Sequence, residues 1–329
     1  MRCPRLEALP APPPGKTGWP WTFATPQLPS EISAGRPWPR ISIVVASLNQ
    51  GKYIEEMIRS ILLQGYPDLE FILIDGGSSD ETPAIIRKYE KWLAYSVSEP
   101  DHGQSHAFNK GLARITGALF NIFDTDDYFL PGAFAFAGAA HCEHPDRMIA
   151  GDVLRTWEGS ARTEVYSPDD VDLRRYAQWW NTYHHGQPGL FFPACHLEAV
   201  GLINERLNYL FDYEYTLRFL EVTRLYAIRS PLAVIRVHPA CKSAMQGDYF
   251  AWECVQIARP YQRRFPELEA EANRFAAGCL FGAGCRRLLQ GKRDVWRFIR
   301  EGLRIHPFWA LYWVFPGWLF RKLSRRTET

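Results

Sequence analysis

The stretch Leu119-Phe-Asn-Ile-Phe-Asp-Thr-Asp-Asp127 decides the fold of this chain. Its first five residues are apolar or nearly so and polar residues follow, a pattern that predicts a buried strand. The carboxylates of Asp124, Asp126 and Asp127 would repel one another there unless a cation lay among them. Mg²⁺ typically bridges carboxylates to substrate phosphates, and open α/β sheets bind ligands beyond the carboxyl ends of their strands. The stretch therefore indicates either a site for a metal and a diphosphate or an acidic loop that caps the next helix.

Upstream of this stretch, apolar strands alternate with segments of helical periodicity. The predicted strands are 41–46, 70–74, 95–97 and 119–123, and the predicted third helix covers 105–115. Such alternation predicts an α/β fold with a mostly parallel twisted sheet, flanked by helices on right-handed crossovers. The sequence has neither G-x-G-x-x-G after the first strand nor G-x-x-x-x-G-K-[ST], which disfavours dinucleotide enzymes and P-loop NTPases.

Each of these strands ends in polar residues. The ends are Ser47, Asn49 and Gln50, then 75–80, then 99–104, then the acidic run. Any one of them alone is compatible with a turn or a helix cap. Because the carboxyl ends of parallel strands lie at one edge of a sheet, we expect all four to border one cleft.

The second half of the chain has a looser pattern. Strands are predicted at 148–153, 190–192 and 232–237, and a helix begins near 209–215. Residues 250–305 have helical character. Their candidate core positions are Trp252, Val255, Ile257, Phe275, Leu280, Leu288 and Phe298.

Composition indicates an ordinary globular protein without a nucleic-acid partner. Of 329 residues, 47% are hydrophobic and 22% charged, and the net charge is only +2. Seven cysteines without a C-x-x-C pair favour reduced thiols in a cytoplasmic protein and do not fit structural zinc. The sequence shows neither a signal-peptide pattern nor an apolar run of membrane-spanning length. The aromatic segment 307–320 with its basic flank fits either a packed helix or a membrane interface, so peripheral association with the inner face of the membrane stays open.

Four motifs together resemble the family 2 glycosyltransferases with the GT-A fold, closest to the bacterial branch that builds surface polysaccharides. They are 43–49, 73–80, 98–111 and 123–127, the last matching the family's D-x-D element, and the resemblance spans about 19–243. The many prolines of residues 1–40 predict an extended leader, and the resemblance implies a GT-A domain at 41–243. That domain divides into a nucleotide-sugar-binding half, 41–130, and an acceptor and catalytic half, 131–243. A helical C-terminal region with an aromatic-basic tail, 244–329, completes the chain.

The resemblance implies a nucleotide diphosphate sugar donor, often a UDP-sugar, together with Mg²⁺ or Mn²⁺. Asp75 matches the residue that accepts a hydrogen bond from the base, and Asp126 matches the direct metal ligand. His238 matches a C-terminal histidine of the metal shell, while Asp127 faces the donor sugar or supports the loop. The remaining donor-nucleotide positions are Ala46, Ser47, Asn49, Asp101, Gln104, Asn109 and Asp124, the last also fitting a metal contact.

The resemblance also implies a catalytic base at the start of a helix in the second half. Asp212 fits this position, and direct displacement with the base opposite the leaving group would invert the anomeric carbon. An aspartate there is also a common helix cap, and Glu214 is the rival base. Gln187, in the run 184–189, fits the side of the donor sugar and acceptor.

Two other functions remain open at this stage. A sugar nucleotidyltransferase has a similar sheet and uses a metal in a similar way, although 47–52 is a poor match to its glycine-rich basic loop. A sugar-nucleotide-binding protein without transferase activity would bind donor and never turn it over. The acceptor, which the sequence does not identify, is expected to be a saccharide or a lipid-linked molecule.

Overall fold

The structure, a computed structural model, describes residues 1–33, 35–178, 186–242, 249, 252–253, 255–257 and 264–307. These residues belong to two compact units. The first unit takes in Met1–Tyr176 and Tyr183–His238, and the second takes in Ala177–Thr182 and Pro239–Thr329. In the part of the chain that is described, no helix is both long enough and apolar enough to cross a bilayer.

The first half of the first unit alternates strands and helices, as the sequence predicts. Its elements are β1 (Glu31–Ser33), β2 (Arg36–Pro37), β3 (Ile41–Ser47), α1 (Gly51–Leu62), β4 (Leu69–Asp75), α2 (Thr82–Tyr89), β5 (Tyr95–Ser98), α3 (Gln104–Leu112) and β6 (Leu119–Asp124). Strands β5, β4, β3 and β6 are neighbours in this order and pair in parallel. Every residue of β3 is buried, which is typical of a parallel strand covered on both faces.

The second half contributes the remaining strands of the same sheet. Its elements are β7 (Tyr128–Phe129), α4 (Ala133–Glu143), β8 (Met148–Trp157), β9 (Thr163–Tyr166), α5 (Leu173–Tyr176), β10 (Leu190–Pro193), α6 (Leu197–Val200), α7 (Phe211–Leu220) and β11 (Leu225–Val237). The sheet continues from β6 through β10, β8 and β11 to β7, and β9 pairs with β8.

The α/β prediction is confirmed, but the sheet is more mixed than the sequence suggests. Strand β8 pairs in parallel with β11, whereas β10 runs antiparallel to both β6 and β8, and β7 runs antiparallel to β11. A short apolar run has the same appearance in a parallel and in an antiparallel strand. The sequence pattern therefore does not indicate the direction of the strands in the second half of the first unit.

Strand register aligns the polar ends that form the candidate site. Ser47 lies opposite Asp75, Asp75 lies opposite Ser98, and Ala46 lies opposite Asp124. At the far side of the sheet, Val234 of β11 pairs with Tyr128 of β7, directly after the acidic run. This pairing explains how residues that follow β11 reach the end of β6.

The proline-rich segment 1–33 packs on the first unit. Arg59 of α1 is fully buried and donates hydrogen bonds of 2.9–3.1 Å to the backbone oxygens of Pro10, Pro20 and Trp21. A guanidinium without partners would be costly to bury, so these carbonyl groups are what make its burial tolerable. The bonds in turn fix the segment to the outer face of α1.

The described part of the second unit is a helical hairpin formed by α8 (Glu269–Leu289) and α9 (Val295–Ile305). Four of the predicted core residues are buried: Val255, Ile257, Leu280 and Phe298. The assignment of Leu288 to the core is wrong, since its side chain is 58% exposed at the end of α8. The aromatic tail predicted at 307–320 lies outside the described residues from position 308 onward.

Candidate functional site

Three carboxylates meet directly after β6. One carboxylate oxygen from each of Asp124, Asp126 and Asp127 lies within 4.8 Å of the others. Asp127 is buried and accepts a hydrogen bond of 3.0 Å from the backbone N–H of Arg236. Burial, reinforced by the charges of Asp126 and Asp124, raises the pKa of Asp127 well above its usual range. The cluster therefore lacks enough positive charge of its own to balance three ionised carboxylates.

His238 lies next to the acidic cluster because β11 ends beside it. Its Nε2 atom is 3.0 Å from Oδ2 of Asp126, and its ring packs 4.8 Å from the ring of Tyr53 on α1. The Tyr53 hydroxyl donates a hydrogen bond of 3.3 Å to Glu158, whose other oxygen accepts one from Lys52. The imidazole of His238 thus contacts both the Asp126 carboxylate and the Tyr53 ring. Tyr53 in turn binds the carboxylate of Glu158.

These residues fit a hard divalent cation. Carboxylate oxygens with one imidazole nitrogen suit Mg²⁺ or Mn²⁺, whereas structural zinc sites are usually built with thiolates. Within the described residues, Asp124, Asp126 and Asp127 form an acidic group compact enough to hold an ion. Burial and the charges of its two neighbours raise the pKa of Asp127, and a cation among these carboxylates would offset that repulsion. Asp126 and His238 present ligand atoms at the separation expected of two ligands of one ion.

Hydrogen bonds join the loop after β3 to the loop after β4, next to the acidic cluster. Asn49 has a positive φ of 53°, its Oδ1 accepts a 2.9 Å hydrogen bond from the Ser79 N–H, and its own N–H donates to Ser78. The Gly76 N–H donates to the Ser47 carbonyl at 2.8 Å. The Ser47 hydroxyl is buried and has no hydrogen-bond partner within the described part of the chain. A ligand at these loops would therefore meet an available hydroxyl.

Asp75, the residue expected to contact the base, makes several hydrogen bonds within the protein. Its side chain is fully buried and its two oxygens accept hydrogen bonds from the N–H and hydroxyl of Ser78 and from the hydroxyl of Ser98. All three donors come from the chain itself, so the carboxylate has little capacity left for a base. In this arrangement Asp75 ties the loop after β4 to the end of β5.

Asp101 occupies the space next to the backbone that follows Asp75. Its Oδ1 accepts a 2.8 Å hydrogen bond from the Gly103 N–H, and its Oδ2 lies over Gly76. A Cβ atom at Gly76 would lie 2.7 Å from Oδ2, so only glycine allows this approach. Asp101 is half-buried, and no hydrogen bond to its second oxygen is described.

Helix α3 connects the nucleotide side of the cleft with the segment before α7. At its start, the Gln104 amide donates a hydrogen bond to Oδ1 of Asp124. One residue on, the Ser105 hydroxyl donates to the Leu207 carbonyl at 3.0 Å. Phe108 packs against Phe211 at the beginning of α7, with ring centroids 5.7 Å apart. The same helix therefore contacts the acidic cluster and positions the start of α7.

Asn109, expected to line the nucleotide, makes its described hydrogen bonds with the segment before α7. Its Nδ2 donates to the Ile203 carbonyl at 2.9 Å and to Glu205 at 2.8 Å, while its Oδ1 accepts from the Ile203 N–H at 2.9 Å. The side chain is buried in these contacts. Its amide holds the 203–207 segment that leads to α7, so we assign it a positioning role.

The two candidate bases at the start of α7 have different surroundings. Asp212 is half-buried in the first turn, and its carbonyl accepts a 2.8 Å hydrogen bond from Thr216. Glu214 pairs with Arg218 through two contacts of 2.9 and 3.1 Å. Arg218 also donates to the carbonyls of residues 200 and 202. Glu214 is therefore tied through Arg218 to the α6–α7 connection.

Gln187 lies under the acidic cluster. Its Nε2 donates a 2.8 Å hydrogen bond to the backbone oxygen of Ile122, two residues before Asp124 in β6. The preceding positions, including His184 and His185, lie outside the described residues.

The side-chain contacts of Arg236, whose backbone N–H binds Asp127, were not predicted from the sequence. Arg236 makes a 2.9 Å ion pair with Glu56 of α1, and its guanidinium stacks on the rings of Tyr53 and Tyr128. These contacts join residues up to 180 positions apart, and no local pattern indicates them.

Comparison with known proteins shows which protein family this chain resembles. Residues 42–191 match the family model described as Glycosyl transferase family 2. An uncharacterized glycosyltransferase of Mycobacterium tuberculosis is 35% identical over 202 residues, which are 59% of this chain and 74% of that protein. One from Rickettsia typhi is 27% identical over 210 residues, and the match covers 61% of this chain and 65% of that relative. TuaG of Bacillus subtilis, a putative teichuronic acid biosynthesis glycosyltransferase, is 35% identical over 92 residues, 27% of this chain and 36% of its own.

Solved structures share the fold at lower identity. TarS 1-349 of S. aureus in complex with UDP-GlcNAc superposes with a TM-score of 0.53 at 17% identity, over 81% of this chain and 72% of that one. The mannosyltransferase PcManGT of Pyrobaculum calidifontis, in complex with GDP-Man and Mn²⁺, gives 0.53 at 19% identity, over 87% of this chain and 89% of that one. Both likenesses concern the fold.

Proposed function

The chain belongs to glycosyltransferase family 2, and on this premise we propose that it transfers a sugar from a nucleotide diphosphate sugar to a saccharide or lipid-linked acceptor. A UDP-sugar is the first donor to test, since a structural neighbour binds UDP-GlcNAc. A role in polysaccharide biosynthesis is supported by the likeness to TuaG, a putative teichuronic acid biosynthesis glycosyltransferase. We place this role at the inner face of the cytoplasmic membrane as part of the proposal.

The observation that carries the proposal is the acidic cluster with His238 beside it. Asp126 and His238 are the proposed metal ligands, and Asp124 is the third group within reach. A bound Mg²⁺ or Mn²⁺ supplies charge that neutralises the diphosphate and stabilises the departing nucleoside diphosphate. Gln104 orients Asp124, and the Arg236 N–H fixes Asp127 toward the donor sugar.

The donor nucleotide is proposed to lie across the loops after β3, β4 and β5. The unpartnered Ser47 hydroxyl and the Oδ2 atom of Asp101 are the polar groups that support this placement. Oδ2 of Asp101 accepts hydrogen bonds, so it suits the imide N–H of a uracil or the amide N–H of a guanine. Ala46 and Asn49 shape the loop that would contact the nucleoside.

Asp212 is the proposed general base for the acceptor hydroxyl. Its carboxylate lies in the first turn of α7, which α3 fixes relative to the acidic cluster through Gln104 and Phe108. Removal of the hydroxyl proton as the oxygen attacks the anomeric carbon gives direct displacement and inversion. No acid is required at the leaving nucleotide when its charge is already stabilised.

A matched pair of variants tests the assignment of the base. Asp212→Asn removes the basic oxygen and keeps the shape, so transfer should fall by about 10²–10⁴ while donor affinity stays the same. Glu214→Gln weakens an ion pair in the α6–α7 connection, so it should cost stability more than transfer. The measurement is release of the nucleoside diphosphate from a panel of donors and acceptors. Transfer near the wild-type rate by Asp212→Asn would contradict the assignment.

A protein that binds donor without transferring it is the competing outcome. Calorimetric titration with UDP, GDP and dTDP, each with and without Mn²⁺, identifies the base. Binding of one nucleotide without turnover of any sugar derived from it, across a broad acceptor panel, would favour the silent binding protein.

A further inference from the structure

The tip of the α8–α9 hairpin, residues 286–297, exposes large apolar side chains. Leu289 is 89% exposed, Trp296 is 71% exposed, and Leu288, which the sequence assigns to the core, is also at the surface. Leu288 and Leu289 close the last turn of α8, and Trp296 lies in the first turn of α9. The three side chains therefore gather at one end of the hairpin, where an ordinary surface would carry polar groups.

The helix pair does not need these side chains for its own packing. Leu280, Ala283 and Phe298 form its core, and Gly284 allows a close approach, since a Cβ atom there would lie 2.6 Å from Ile299. Trp296 and the core residue Phe298 are two positions apart and so lie on nearly opposite faces of α9. The hairpin is thus complete without the apolar groups at its tip.

The turn that presents these groups is held in one conformation. Arg287 of α8 forms an ion pair with Asp294 at 2.7 Å, in which its Nε and one terminal nitrogen donate to the two oxygens of that carboxylate. The Gly291 N–H donates to the Leu288 carbonyl at 3.0 Å, and Gly291 has a φ of 67°, which favours glycine. Docking would therefore cost little ordering entropy.

The tip is also strongly basic. Its exposed cations are Arg286, Lys292, Arg293 and Arg297. The acid of the tip, Asp294, is already paired with Arg287. Within the described residues, Lys292 and Arg293 form no ion pair. Apolar side chains ringed by lysine and arginine are typical of surfaces that bind the interface of a lipid bilayer.

We propose that the hairpin tip docks the protein on an anionic lipid surface. Leu288, Leu289 and Trp296 enter the interface, while Lys292 and Arg293 meet the lipid phosphates. A second copy of the chain is a poorer occupant, because an isologous contact would press like charges together. Nucleic acid offers charge but no apolar phase for exposed leucines. This docking surface goes beyond the proposed function. Only its link to a lipid-linked acceptor rests on that function.

Vesicle co-sedimentation of the full chain tests the proposal. Wild-type protein should sediment with vesicles of phosphatidylglycerol and phosphatidylcholine, and far less with phosphatidylcholine alone. Lys292→Gln with Arg293→Gln should weaken binding about 25-fold, at about fivefold per charge removed. Arg87→Gln with Lys91→Gln instead removes two exposed charges from α2 and the turn that follows it, and should leave binding unchanged.

The apolar part of the surface is tested in the same assay. Leu289→Ser with Trp296→Ser should reduce binding at least tenfold, at about 25 cal/mol per Å² of apolar surface withdrawn from water. Leu202→Ser, at a side chain 49% exposed in the first unit, is the control. Equal binding by all variants, or no sedimentation of the wild-type protein, would overturn the proposal. So would a dimer that the tip substitutions convert to monomers without any effect on vesicles.

Donor titrations on the same variants separate this proposal from the proposed function. The tip substitutions should leave nucleotide affinity in solution unchanged. Vesicle binding without nucleotide binding would refute the transferase and leave the docking surface standing, and the reverse result would refute the surface alone.

Discussion

Replacement of Asn109 by alanine distinguishes the role that the structure gives this residue from the role expected of its motif. The amide makes three hydrogen bonds of 2.8–2.9 Å to Ile203 and Glu205. Asn109→Ala removes all three and leaves the N–H of Ile203, a residue that is itself buried, without a partner. The 203–207 segment would lose its attachment to α3, and Asp212 would lose part of its support.

The expected loss is large enough to measure. An orphaned buried N–H costs about 1–3 kcal/mol, and the two bonds that Nδ2 donates contribute roughly 1–2 kcal/mol together. The free energy of unfolding should therefore fall by about 3 kcal/mol, or ~6–12 °C in Tm. A fold with roughly 5–15 kcal/mol of stability survives this change. Donor affinity should stay within about twofold, since no nucleotide contact is lost, while transfer slows because the base is mispositioned.

Urea unfolding and UDP calorimetry on the same samples test the reasoning. Asn109→Asp should be less stable than Asn109→Ala, because its carboxylate would face Glu205 and the Ile203 carbonyl. Adding Glu205→Gln to Asn109→Asp supplies a donor and should restore about 1 kcal/mol. Unchanged unfolding together with a tenfold loss of UDP affinity for Asn109→Ala would refute the positioning role and return Asn109 to the nucleotide.

Three further predictions address other parts of the account. Arg59→Met should lower the free energy of unfolding by about 3–5 kcal/mol in urea titrations, because three carbonyls of segment 1–33 lose their donor, and a change under 1 kcal/mol would contradict the anchoring of that segment. Burial lowers the pKa of His141, so the unfolded chain binds a proton first as pH falls. Wild-type stability should therefore be complete above about pH 6.5 and decline below it, and His141→Leu should flatten this part of the profile, as measured by unfolding at several pH values. Asp101→Ala should weaken UDP binding about tenfold with little change in Tm, whereas Asp75→Ala should chiefly lower Tm; calorimetry that shows the reverse would restore the base contact to Asp75.

The strands that build the site were predictable because their signals are local. Segments 41–46, 70–74, 95–97 and 119–123 were predicted, and the strands of the structure extend them by one residue, at both ends for 70–74 and at the C-terminal end for the others. Continuous apolar runs that stop at polar residues carry both the strand and the position of its functional end. The acidic cluster after β6 follows from the same local pattern.

The roles of individual polar residues were harder to predict from the sequence, because they depend on hydrogen-bond partners far away along the chain. Asp75 has the sequence context of a ligand contact, yet Ser98, 23 positions away, supplies one of the bonds that occupy it. Asn109 is engaged by a segment 94 positions away. A motif shows which residues are present at a site; tertiary contacts decide which of their atoms remain available.

The helical region illustrates a different limit. Helical periodicity places Leu288 and Phe298 on apolar faces, but only Phe298 is buried in the α8–α9 pair. A pattern of period 3.6 identifies a face and does not say what covers it. Leu288 at the hairpin tip was for this reason assigned to a core that does not include it.

The most direct test of the central claim is calorimetric titration of UDP into the wild-type chain and into Asp126→Ala, with and without Mn²⁺. The account predicts that wild-type protein binds UDP much more tightly with Mn²⁺, and that Asp126→Ala loses this dependence while remaining folded. Binding that is equally tight without the metal, or a metal effect that survives Asp126→Ala, would contradict a metal-dependent transferase site built on the acidic run after β6.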